Sequence, residues 1–149
     1  MIKIRKAKPK DKEKILLLVK KFYSKSAPKS VNYWQNNYKD IIKNIELTYI
    51  IKTAGIIKAY ISCKINKNSL HIEDLYVLPK FRRKGIASKL LKKIESECKK
   101  LNKKYLTVNN RKKDRAAFNF YSKNGFSMIK RKQAKSLKLI KVLNQIKWK

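Results

Sequence analysis

HIEDLYVLPKFRRKGIASKLL, residues 71–91, divides into three parts. His71 to Leu78 is mostly apolar and β-branched or aromatic, which predicts a strand ended by Pro79. RRKGIA, residues 82–87, is a basic loop with one glycine. From Gly85 onward the apolar residues Ile86, Leu90, Leu91, Ile94, Cys98 and Leu101 recur at a 3.6-residue period, which predicts an amphipathic helix to about Leu101. The first amides of a helix lack intrahelical partners and its dipole is positive there, so a glycine loop leading into it is a ready anion site. The strand before it carries adjacent carboxylates, Glu73 and Asp74. One short stretch therefore combines acid/base candidates with a phosphate cradle.

Working outward, residues 2–7 alternate apolar and basic and suggest a half-exposed strand. Pro9 and Asp11 open a helix to about Ser24. A second helix is expected over about 31–45, where Tyr33, Trp34, Tyr38, Ile41, Ile42 and Ile45 fall at helical spacing. That stripe suits a core or an acceptor pocket. Residues 47–52 and 56–65 read as a hairpin around Ala54-Gly55. After the central helix come a short strand at 104–108, a polar loop at 109–113, and a helix from Asp114 as N-cap to about Ser122, stopped by Asn124-Gly125. Residues 126–131 and 137–143 read as a terminal strand pair. The order is β-α-α-β-β-β-α-β-α-β-β. The helical crossover between residues 70–78 and 104–108 is long enough for a parallel pair. A single α/β domain over residues 1–149 is expected, with a mixed sheet and helices on both faces.

The chain has 149 residues, 43% of them hydrophobic, so a packed core is expected rather than disorder. No apolar run approaches the ~20 residues that span a bilayer. The charged N-terminal stretch lacks the apolar segment of a secretory signal, so a cytoplasmic protein without membrane insertion is expected. Cys63 and Cys98 lack metal-ligand spacing, and with one histidine no metal site is expected. Forty-one Lys and Arg against nine Asp and Glu give a formal charge of +32. Such a surface attracts nucleic acid, the ribosome, anionic membranes and small polyanions. An abundance of Lys, Ile and Asn also fits compositional bias. With acids this scarce, their placement is informative. Asp11 and Glu13 suit the first turn of a helix. Glu95 and Glu97 suit a solvated helix face. Glu73 and Asp74 interrupt an apolar strand without such a reason.

Two motifs resemble the GNAT superfamily, the Gcn5-related N-acyltransferases. Arg82-Arg83-Lys84-Gly85-Ile86-Ala87 matches that family's Gln/Arg-x-x-Gly-x-Gly/Ala loop, between a strand and a helix. AAFNFYSKNGF, residues 116–126, is similar to its later helix, in which a tyrosine precedes a Gly-Phe pair. The resemblance covers nearly the whole chain. It implies a GNAT-like α/β (α+β type) fold: a mixed, mainly antiparallel sheet of six or seven strands, a central parallel pair that splays, and about four helices. It implies acetyl-CoA as co-substrate, with its pyrophosphate at Arg82, Arg83, Lys84, Gly85, Ile86 and Ala87, and its pantetheine along Tyr76, Val77 and Leu78.

The implied chemistry is direct attack of a neutral primary amine on a thioester. The amine needs a base, the tetrahedral oxyanion needs amide donors, and the leaving thiolate needs an acid. Glu73 is the first choice for the base, because IEDLYV resembles the same strand in small-amine acetyltransferases of the polyamine and streptothricin types. Asp74 is the second choice, or an anchor for a cationic acceptor. Neighbouring strand residues face opposite ways, so both reach one side only if a bulge intervenes. Tyr121 matches the family's general acid. Asp114 stands where many relatives have asparagine, and could accept from pantetheine or cap the helix. Asn109 stands where ribosomal-type N-terminal acetyltransferases often carry a glutamate. His71 reads as a proton relay or a structural residue. The acceptor stays open between a small amine and a protein amine, and pairing of the terminal strands into a homodimer also stays open. The competing expectation is a basic nucleic-acid- or ribosome-associated protein that keeps the fold with little catalysis.

Overall fold

The computed structural model describes residues 2–26, 47–130 and 136–143. The helix expected over 31–45 lies outside them. Seven strands and three α-helices are described: β1 (Ile4–Lys6), α1 (Lys12–Ser26), β2 (Thr48–Thr53), β3 (Ile56–Ile65), β4 (Ser69–Val77), α2 (Ile86–Lys100), β5 (Tyr105–Arg111), α3 (Arg115–Lys123), β6 (Ser127–Lys130) and β7 (Ser136–Val142). The strands follow the order β1-β2-β3-β4-β5-β7-β6. β4 and β5 are parallel, while β1–β2, β2–β3, β5–β7 and β6–β7 are antiparallel. The chain forms two compact units, residues 1–63 with 74–90 and residues 64–73 with 91–149. β4 and α2 each contribute residues to both.

In the first unit, β2 and β3 form a hairpin whose turn residues Ala54 and Gly55 have φ of 50° and 76°. Both turn positions of a two-residue hairpin need left-handed backbone, which suits glycine. Thr48 to Ile51 are buried without alternation, as expected of a strand covered on both faces. Its buried hydroxyl, Thr48 Oγ1, pairs with Ser62 Oγ at 2.9 Å. Ala7, Ile15, Leu18, Ile50, Ile57, Tyr60 and Tyr76 form the core, with Leu78 against it.

Before α1, a 3-10 turn at Pro9–Asp11 carries a buried carboxylate paired with a partly exposed arginine. Asp11 is 1% exposed. Its carboxylate takes a forked pair of bonds from Arg5, at 2.8 and 3.0 Å, and one from the Lys8 amide at 2.7 Å. Asp11 is thus a buried anchor joining β1 to α1, rather than an exposed partner of the helix dipole.

In the second unit, β4 and β5 pair from Ser69↔Tyr105 to Ile72↔Val108. β4 continues to Val77 and β5 to Arg111, beyond that ladder. α2 buries Leu91, Ile94 and Cys98 completely, each large aliphatic contributing roughly 2 kcal/mol by area. Leu101, expected on that face, is 42% exposed because the helix has already ended. Asn102, at φ 55°, closes it: the Lys103 amide reaches Cys98 O and the Asn102 amide reaches Lys99 O, both at 3.0 Å. This is a Schellman cap with asparagine in the usual glycine position. β5 runs through residues 109–111, where a polar loop was expected. Those residues are held by β7, in register Asn109↔Lys138 to Arg111↔Ser136. Backbone pairing to a neighbour overrode the low strand propensity of two asparagines.

Candidate active site

In the first unit, β4 passes through Leu78 into a 3-10 turn at Pro79–Phe81 and then the basic loop. Arg83 and Gly85 take φ of 64° and 76°. Gly85 O accepts the first α2 bond, from the Lys89 amide at 3.1 Å. The amides of Ile86, Ala87 and Ser88 therefore precede the hydrogen-bonded ladder of the helix. Ile86 is 5% exposed, which anchors this end of α2, while Arg82, Arg83, Lys84 and Gly85 are exposed. A Cβ built on Gly85 would meet no protein atom within 4 Å. The glycine is thus required by its backbone angle and leaves open space for something outside the chain to approach. Arg83 holds its left-handed angle without being glycine, at a cost of roughly 1 kcal/mol. Two positive-φ residues ahead of helix amides that precede the ladder are a backbone arrangement suited to a phosphate group.

Arg82 has a more specific task than adding charge. Its Nε donates to Val77 O at 2.8 Å, and its guanidinium lies 5.5 Å from the Tyr76 ring centroid. It ties the loop back to the end of the strand that precedes it. The Leu78 amide donates to Lys58 O at 2.9 Å, so Leu78 belongs to the β3 side of the strand. Successive strand residues alternate edges, which puts the Val77 amide and carbonyl on the opposite edge. Lys58 and Lys84 stand 4.6 and 5.8 Å from the Phe81 ring centroid, so the turn before the loop is also flanked by cations.

Along β4, Leu70 and Ile72 are buried while Ser69 and His71 are partly exposed. That alternation lapses at Glu73, Asp74 and Leu75, three partly buried residues in succession, and Tyr76 and Val77 are then both buried. Glu73 and Asp74 are thus both partly buried, and burial singles out neither of them. His71 Nδ1 is 2.7 Å from Thr107 Oγ1 on β5. Burial, with Lys138 and Lys64 adding to it, holds the imidazole below its usual pKa. His71 is therefore a neutral ring bonded to the neighbouring strand.

In the second unit, Asp114 caps α3: its Oδ1 accepts from the Ala117 amide at 3.0 Å. At the other end the Phe126 amide reaches Tyr121 O at 3.0 Å and the Gly125 amide reaches Ser122 O at 3.1 Å, with Gly125 at φ 90°. The Tyr-Gly-Phe spacing is thus a Schellman cap, and the expected contact across it is present as edge-on packing of Tyr121 and Phe126, 5.1 Å between centroids. Phe120 stacks edge-on to Tyr121 at the same separation. Tyr121 is 7% exposed. The motif fixes this ring in place whatever else it does.

Asn110 was not singled out from the sequence. It is 3% exposed, and its Nδ2 donates to Arg111 O at 2.9 Å and Asp114 O at 3.2 Å, holding the turn that leads into α3. Its Oδ1 is buried without a hydrogen-bond partner among the described residues, a state that costs about 1–3 kcal/mol. The available signal was an asparagine continuing the Leu106-Val108 alternation at the next inward position.

Residues 7–138 match the model of the acetyltransferase (GNAT) domain. The chain belongs to that family. It is 30% identical over 110 residues to zebrafish (Danio rerio) N-alpha-acetyltransferase 50, a match covering 69% of this chain and 64% of that protein. The match thus spans a little under two thirds of that relative. Among solved structures, a GNAT-family acetyltransferase from Staphylococcus aureus superposes with a TM-score of 0.82 at 20% identity, covering 97% of this chain and 100% of that one. The PaiA N-acetyltransferase of Thermoplasma acidophilum, solved with coenzyme A, gives 0.77 at 22% identity, covering 95% and 99%. The mixed seven-stranded sheet with its parallel β4–β5 pair is the GNAT-like fold. Among the described residues no cluster suits a metal, and no helix is long and apolar enough to cross a membrane.

Proposed function

We propose that this protein is an N-acetyltransferase that moves the acetyl group of acetyl-CoA to a primary amine by direct attack. The observation that carries the reading is the loop geometry: Arg83 and Gly85 at positive φ, then α2 amides outside the helix ladder, with open space over Gly85. A pyrophosphate fits such an arrangement because it can accept several amides at once without a side chain in the way. Arg83 and Lys84 supply charge, and Arg82 holds the loop to β4. Glu73 takes the proton of the attacking amine, with Asp74 as anchor for a cationic acceptor. The Val77 amide, on the edge away from β3, is the donor for the acyl oxygen. Tyr121 protonates the departing thiolate. CoA supplies the activated thioester and the leaving group.

The relative described as an N-alpha-acetyltransferase makes the α-amine of a polypeptide the first acceptor to try. Small amines are the second, on the strength of the IEDLYV strand. The deciding experiment is CoA binding followed by acceptor-dependent thiol release over peptides with varied N-termini, polyamines and lysine-containing proteins. Saturable CoA binding with release for one acceptor class is expected. No CoA binding and no release over the whole panel would end the reading in favour of a basic binding protein.

Gly85→Val separates the loop's two requirements. A Cβ there meets no protein atom, so the folded state should lose about 2 kcal/mol, the strain of a β-branched residue at a left-handed angle, read as a drop in Tm. CoA affinity should fall by more than about tenfold, because the side chain occupies the space of the approaching phosphate. An unchanged affinity would move the pyrophosphate away from this loop.

A further inference from the structure

A second basic site lies in the first unit, remote in sequence from the RRKGIA loop. Lys3, Arg5, Lys52 and Gly55 line a concavity of about 350 Å³, within the range of small-molecule pockets, roughly 300–1,000 Å³. Lys14 joins them, its Nζ donating to Gly55 O at 3.2 Å. On a chain with 41 basic residues, a lysine cluster alone means little, because exposed ammonium groups spread into water. Here they converge. The Lys52 side chain is only 23% exposed. The neighbouring Lys14 ammonium, with desolvation, holds the Lys52 ammonium below the usual lysine pKa. The carboxylate at this cluster, Asp11, is already committed to Arg5 and the Lys8 amide, and stands 4.0 Å from Lys52 Nζ. Among the described residues, four cations against that one carboxylate leave a net charge of about +3 on the cluster.

We propose that this pocket, formed by Lys3, Arg5, Lys14, Lys52 and the Gly55 turn, binds a small anion carrying two linked phosphate groups. Two phosphates joined through one oxygen carry about −3 at pH 7, a little less than two separate monoesters, which matches the cluster. Lys3, Lys14 and Lys52 bring ammonium donors, and Lys14 also bonds Gly55 O. The Arg5 fork, held by Asp11, supplies fixed positive charge. The lining has no aromatic or apolar side chain, so recognition rests on the phosphates and not on a base or acyl chain. The anion would relieve the crowding of Lys14 and Lys52, and bridge α1 to the β2–β3 turn. The inference is independent of the catalytic reading.

The sequence contains three glycines, so amide NMR offers three well-separated reporters. Gly55 reports this pocket, Gly85 the loop before α2, and Gly125 the α3 cap. Titration of the full chain with inorganic pyrophosphate should move the Gly55 amide saturably, whether or not Gly85 also responds. Affinity at Gly55 should weaken by about tenfold or more in Lys14→Gln/Lys52→Gln. It should hold in Lys92→Gln/Lys99→Gln, which removes the same charge from exposed positions of α2. Unmoved Gly85 and Gly125 signals in the ligand-free variants show that the fold is kept. A Gly55 shift that never saturates, or that survives Lys14→Gln/Lys52→Gln undiminished, overturns the proposal. So does a response to single-stranded RNA where pyrophosphate gives none, since that would assign the pocket to a nucleic-acid backbone.

Discussion

Glu73→Gln should lower kcat by on the order of 10²- to 10⁴-fold, the range for loss of a positioned general base, while CoA affinity stays within about twofold. The substitution keeps size and hydrogen-bonding capacity and removes only the ability to take a proton. The amine acceptor is protonated in neutral water, so without a base the fraction able to attack is small. Asp74→Asn should behave differently. As an anchor for the acceptor's charge it should raise the acceptor KM and leave kcat less affected. Glu73 and Asp74 are both partly buried, so burial does not decide between them and the two must be compared directly. A large kcat loss in Asp74→Asn with little in Glu73→Gln would exchange the roles. Full activity in both would remove the pair from the chemistry.

What was legible in the sequence was what short-range rules determine. The loop could be read because a glycine, its basic neighbours and the helical period fall within a few residues. The β2–β3 turn, the Asp114 cap and the Gly125 stop are likewise local. The Tyr121-Gly125-Phe126 spacing was read through its family likeness, yet its geometry is a helix cap with a ring contact across it. Where long-range pairing decides, the pattern was silent. β5 extends through two asparagines because β7 supplies the ladder. Arg82 turns back to Val77 O because the 3-10 turn at Pro79–Phe81 brings it there, and nothing in a row of basic residues says which of them is committed. Asn110 differs from Asn109 only in facing inward. The cluster of Lys3, Arg5, Lys14 and Lys52 joins two strands and a helix from distant parts of the sequence, and in a lysine-rich chain composition hides such a convergence.

Asp11 offers the sharpest test of that long-range part, because its reading as a helix-dipole partner and its buried geometry predict different stabilities. An exposed carboxylate near a helix N-terminus contributes about 0.3–1 kcal/mol. The Asp11 carboxylate is buried while Arg5 is 29% exposed, so loss of its charge-assisted bonds in Asp11→Ala should cost about 2–3 kcal/mol, measured by denaturant unfolding at neutral pH. The pH dependence gives a second, independent reading. Hydrogen bonds from Arg5, opposed by burial and reinforced by the Lys8 amide, hold the Asp11 pKa down to about 2 from an ordinary 3.8. A depressed carboxylate pKa means that the unfolded chain binds the proton more readily. The stabilisation is therefore complete above about pH 4 and is lost as pH falls through about 2. Its size from the shift is about 2 kcal/mol. Asp11→Asn, which cannot titrate, should be less stable than the wild type near neutrality by at least that amount, and the difference should shrink across the same window. A difference independent of pH would mean that Asp11 acts through shape alone. A loss below 1 kcal/mol in Asp11→Ala would mean that the Arg5 fork does not join β1 to α1. The ion pair also bears on the basic pocket, because without Asp11 the Arg5 guanidinium faces Lys52 with no opposing charge. Part of the destabilisation should then be recovered by added salt, which screens repulsion among exposed cations but does not rebuild a buried hydrogen-bonded pair.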